Sequence, residues 1–160
     1  MAAVSPETIR ASVQAAWTPF EAVVSRLSPA ELVLNVGNGW TVKELLSHVA
    51  FWDEAVEGYV TLAIRLRELP NGWTFGSGYE PDDGPWPHFE VHNAREAAWA
   101  REHNSEAVLE RVETAHRALA RFLETITEEE AAEHAEYFGQ LGQHYREHLA
   151  DLEAAASPSR

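Results

Sequence analysis

Apolar residues recur every three or four positions through four long stretches of the chain, and short runs of serine, threonine, asparagine and glycine break the pattern between them. The first stretch carries Ile9, Val13, Trp17, Phe20, Val24 and Leu27 on one face. Ser5 followed by Pro6 supplies an N-cap and a proline at the first helical position, so a helix should begin there and end near Ser28. Ser28 and Glu31 have the spacing of a capping box and predict one short helical turn before the loop Asn35–Gly39. Thr41 and Glu44 form a second box, with Trp40 and Leu45 placed as a hydrophobic staple. The helix they open should run to about Leu69.

A third helix is expected from Val91 to Ile126, with Val108, Leu109, Val112, Leu119, Phe122 and Leu123 as its apolar stripe and a bend at the weak helix formers Asn104 and Ser105. Thr127 to Glu130 caps another short turn, and a fourth helix then carries Phe138, Leu141, Tyr145, Leu149 and Leu152. No strand-like alternation competes with these stripes, so the expected fold class is all-α. Between the second and third helices the segment PNGWTFGSGYEPDDGPWPHF, Pro70 to Phe89, supports no regular element. Long connections of this kind form lids or binding loops, or else straps pinned to the bundle by their aromatic residues. As a lid it would bring Trp73 and Trp86 over a substrate.

Length and composition narrow the function. A chain of 160 residues fits one domain, expected to span residues 1–160, and buries a hydrophobic core without covalent staples. With no cysteine there is no disulfide, no thiolate ligand and no cysteine nucleophile, so any metal must be held by His, Asp or Glu. A formal charge of −14 repels phosphate backbones and anionic lipid, which argues against nucleic-acid and membrane partners. The first residues lack a signal pattern, and no run approaches the roughly 20 apolar residues of a membrane span, so a cytoplasmic protein is expected.

Three of the eight histidines carry chemistry by their placement. His144 and His148 are four residues apart in GQHYREHLADLE, which on a helix stacks both rings on one face. His48 lies among Leu45, Val49, Trp52 and Val56, so its ring should point toward the core. Three imidazoles with an open coordination position match a catalytic zinc site and equally suit nickel or iron. Glu44 and Asp151 stand one turn from His48 and His148 and are candidates to hold a ring nitrogen from behind. His88 and His92 form a second pair at the same spacing, with Pro85 and Pro87 crowding the first member; a lid or substrate contact is the role considered for them. His103, His116 and His134 sit among Glu and Arg and are expected at the surface.

The segment NGWTVKELLSHVAFWDEAV, with its Gly-Trp-Thr entry and a histidine on the following helix, together with QHYREHLADLE, resembles the DinB/YfiT-like superfamily of metalloenzymes. The resemblance covers essentially the whole chain. It implies a four-helix bundle of up-down-down-up topology, often a homodimer, in which a divalent metal is held by three histidines near one end. By position these are His48, His144 and His148. Some members use low-molecular-weight thiols for transfer or isomerisation, and others look hydrolytic, so the resemblance implies a small-molecule substrate and allows a thiol cosubstrate. Zinc or nickel is the leading metal, with iron and manganese as further options. Two functions follow from this: a metal-dependent transferase or hydrolase, and a non-catalytic binding or stress-protection protein in which the metal is structural.

Overall fold

Ser5, Thr41 and Thr127 each accept a backbone N–H three residues on, while the residue at that third position bonds back to the cap. These reciprocal caps satisfy amide donors that a helix start otherwise leaves open, and each contributes about 1 kcal/mol. The computed structural model describes residues 4–37, 39–67 and 89–156. They form α1 (Pro6–Val24), α2 (Val42–Tyr59), α3 (Phe89–Glu102), α4 (Ser105–Leu123), α5 (Glu128–Glu133) and α6 (Ala135–Ala156), with a single 3₁₀ turn at Glu31–Val33. Ser28 caps that turn, its hydroxyl and backbone N–H both bonded to Glu31 Oε2 at 2.7 Å. Among the described residues there is no strand beyond one isolated bridge, Asn35 to Thr41, so the fold is all-α.

Two boundaries differ from the sequence pattern. The expected helix from Val91 to Ile126 is two helices, because Asn104 leaves helical geometry (φ −73°, ψ 166°) and its Oδ1 accepts the Ala107 N–H at 2.8 Å. An asparagine that competes this well for backbone donors starts a new helix instead of bending an old one. The helix opened by Thr41 keeps α geometry only to Tyr59 and continues as a π-helical turn, Val60–Arg65, short of Leu69. Arg65 at its end pairs with Glu130 at 2.7 Å and donates to the Thr125 carbonyl at 3.2 Å, tying this turn to the start of α5.

α1 packs along α6, and α2 along α4 and α3; lesser contacts join α1 to α4 and α2 to α6. Phe20, Leu46, Val49, Val60, Val108, Val112, Tyr145 and Leu152 are wholly buried between them. The α1–α6 approach is close at Gly142, where a Cβ would lie 3.1 Å from both the carbonyl oxygen and the hydroxyl of Ser12. Among the described residues, no helix is long and apolar enough to cross a membrane. Trp73, Trp86, His88 and most of the Pro70 to Phe89 connection lie outside the described residues.

Candidate metal centre and its cavity

α2 and α6 bring three imidazoles together. His144 Nε2 lies 3.1 Å from His48 Nε2 and 3.1 Å from His148 Nε2. One ring nitrogen carries at most one proton, so His144 cannot donate to both neighbours at once. The two outer rings are themselves committed. His48 Nδ1 is 2.8 Å from Asn93 Oδ1, an oxygen that only accepts, so the His48 proton sits on Nδ1 and Nε2 presents a lone pair. The Trp52 indole N–H lies 3.2 Å from His48 Nδ1 and 3.4 Å from Asn93 Oδ1; the shorter Asn93 contact decides the tautomer and leaves the indole donating to the amide oxygen. His148 Nδ1 faces Asp151 Oδ2 at 3.0 Å and so also turns a lone pair inward from Nε2.

Lone pairs converging at this separation can share a cation between them. Donors about 2.0–2.1 Å from a common ion, at angles from square to tetrahedral, stand roughly 2.9–3.4 Å apart. The two measured separations fall in that window, and each histidine offers one nitrogen within 4.8 Å of the other two. The residues therefore fit a divalent metal. Burial, then the neighbouring His148, pushes His48 down to about 4 against the pull of its Asn93 hydrogen bond. Burial and its two imidazole neighbours hold His144 well below the usual histidine range. Both are thus neutral near pH 7, the form that ligates.

A cavity of about 430 Å³ opens onto the three rings. Trp52, Phe89 and Leu141 give it apolar walls, while Asn93, Gln140 and Gln143 supply amides. Glu147 borders this cavity and accepts from Gln143 Nε2 at 3.2 Å. Asp53 also lines it, nearly buried at 7% exposure.

Several expectations about neighbouring groups are corrected here. Glu44 does not stand behind His48: its carboxylate accepts the Thr41 N–H at 2.7 Å through one oxygen and binds Arg101 at 2.5 Å through the other. A capping carboxylate is already spent, and Asn93 takes the place expected of it. His92 is buried, packed at a tilt against Phe51 with centroids 4.5 Å apart and edge-on to Trp52; it supports the cavity wall from behind and is not part of the lining. His116 is not at the surface. It lies flat on Trp17, centroids 3.8 Å apart, with Nδ1 2.8 Å from the Tyr145 hydroxyl, and burial pushes it down to about 4. His103 is half-buried, stacked on Trp99 at 3.9 Å with Nδ1 2.7 Å from the Trp99 carbonyl. His134 is partly exposed beside Glu133.

The second and last long helices of this all-α fold thus bring together three imidazoles that could hold a metal ion. Residues 12–153 match the model of the DinB superfamily, and the chain belongs to that superfamily. Neither a curated protein nor a solved structure matches it.

Proposed function

We propose that the protein is a metal-dependent enzyme acting on a small molecule, of thiol-dependent transferase or hydrolase type, with His48, His144 and His148 as the metal ligands. The convergence of three inward-facing Nε2 atoms at the edge of a cavity of small-molecule size carries this reading. A divalent ion there would supply Lewis acidity and lower the pKa of a bound water or thiol. The chain does the rest. Asn93 and Asp151 fix two rings in the ligating tautomer. Trp52, Phe89 and Leu141 exclude water from the body of the ligand, and Gln140 and Gln143 offer amides to its polar atoms. We further propose the up-down-down-up bundle for α1, α2, α4 and α6, a reading supported by the pairing of α1 with α6 and α2 with α4.

Elemental analysis of untagged protein beside His48→Ala and the His144→Ala, His148→Ala double variant tests the site. About one divalent ion per chain in the parent and almost none in the variants is expected. Loaded and stripped protein are then screened against thiol-transfer and hydrolytic reactions. Turnover confined to the loaded form supports the enzyme, while tight metal without turnover points to a binding protein.

A further inference from the structure

Three polar side chains that are not members of the histidine triad are buried and joined to one another. Tyr145, on α6, donates its hydroxyl to Asp53 Oδ2, on α2, at 2.5 Å. The same hydroxyl oxygen lies 2.8 Å from His116 Nδ1, on α4. Tyr145 has one proton and spends it on Asp53, so His116 must donate its Nδ1–H to the tyrosine oxygen. The chain thus runs from α4 across α6 to α2 and ends at the cavity wall, where Asp53 is part of the lining. Its second oxygen, Oδ1, has no hydrogen-bond partner among the described residues.

Packing does not require this arrangement. A carboxyl group moved out of water costs several kcal/mol before its partners recover it, and apolar residues of the same size fill a core at least as well. Asp53 is nevertheless on the apolar stripe of α2, four residues after Val49 and three before Val56, both fully buried. Burial raises its pKa to about 8, the Tyr145 hydrogen bond opposes that rise, and Glu54 beside it adds to it. The groups that face it are Glu54 on its own helix, Tyr145 and Tyr137 on α6, and His116 behind Tyr145. Arg111 pairs with Glu54 through two bonds, of 2.7 and 2.8 Å, and among the described residues Asp53 forms no ion pair.

We propose that Asp53 is the proton-transferring side chain of this cavity, with Tyr145 and His116 as positioning residues that hold it and spread the charge it acquires. The inference rests on the reading of the cavity as a small-molecule site and makes no use of the metal. In the step, the Oδ1–H bond breaks and its electron pair stays on the carboxyl group. The proton goes to a basic oxygen, nitrogen or sulfur of the bound molecule. The carboxylate so formed keeps the Tyr145 hydroxyl on Oδ2, backed by His116 Nδ1–H, and the reverse step restores the acid. The ligand class is therefore a small molecule with an apolar body and an atom that gains a proton as it reacts.

The test follows the carboxyl carbons of protein labelled with [4-¹³C]aspartate by NMR across pH, metal-free and zinc-loaded. Asp53→Asn identifies the resonance. Should that variant not fold, the signal displaced in Tyr145→Phe identifies it instead. In the metal-free protein Asp53 is expected to titrate near 8, well above the other aspartates. Tyr145→Phe should move that titration upward, because the hydroxyl favours the charged form. In the zinc-loaded protein, imidazole added as a cavity probe should shift the Asp53 signal. An Asp53 that titrates with the other aspartates, or one indifferent to Tyr145→Phe or to imidazole in protein shown to hold zinc, overturns the proposal. Failure of zinc to bind defeats the metal reading alone, and the metal-free titration still decides the role of Asp53.

Discussion

Asn93 Oδ1 stands 2.8 Å from His48 Nδ1, on a helix 45 residues further along the chain. This contact fixes the His48 proton on the nitrogen turned away from the other two rings. Asn93→Ala should therefore weaken zinc affinity about 10–100-fold while leaving the fold intact. Glu44→Gln is the control: it should cost stability through Thr41 and Arg101 with little change in affinity. Competition titration against a chelator separates the two.

Metal removal should lower stability. An ion bound only by the folded chain stabilises it by about 4 kcal/mol at a thousand times its Kd, so EDTA should depress the thermal midpoint of the parent. His48→Ala should show the low midpoint with or without chelator. Calorimetry checks this, and a parent indifferent to both EDTA and added zinc would speak against the site.

Tyr145→Phe leaves Asp53 Oδ2 and His116 Nδ1 without the hydroxyl they share. A cost of about 1–3 kcal/mol is expected for the stranded groups. The double variant Tyr145→Phe, Asp53→Asn should lose less than the sum of its parts, since the two residues form one unit. Urea unfolding of the four proteins measures the coupling.

Stability of the metal-free protein should peak below pH 8. His116 falls from 6.5 to about 4 on folding, so in that interval the unfolded chain binds more protons and stability rises with pH. His48 and His144 act with the same sign. Asp53 has the opposite sign: raised from 3.8 to about 8, it keeps in the folded state a proton that the unfolded chain has released. Its contribution declines as pH rises toward 8. His116→Gln should flatten the acid limb and Asp53→Asn the alkaline one, read from urea midpoints in a pH series.

The helix starts were legible because Ser5, Thr41 and Thr127 write their caps in local sequence. The triad was legible for a related reason: four-residue spacing on one helix and an apolar stripe on another restrict where three rings can point. Asn93 was not, since its pairing with His48 depends on how a long connection returns the chain to α2. His116 was misplaced by its neighbours Glu113 and Arg117, yet it lies four residues after Val112 and three before Leu119, on the buried stripe of α4. Asp53 occupies the equivalent position between Val49 and Val56. A polar residue in register with a stripe was the available signal, and it outweighs the character of the residues beside it. Asn104 was read as a bend because its propensity was weighed without its side-chain oxygen, which makes it a cap.

Gly142 sits two residues before His144 and faces the backbone of Ser12. With no side chain there, α6 lies flush on α1, and that seating sets how far His144, Tyr145 and His148 reach toward α2. The gauge of the chamber beside the three histidines is thus determined on the opposite side of the helix from its contents. A single methyl group at that contact would force α6 or Ser12 to shift, making position 142 a handle for widening or narrowing the chamber without altering any residue that lines it.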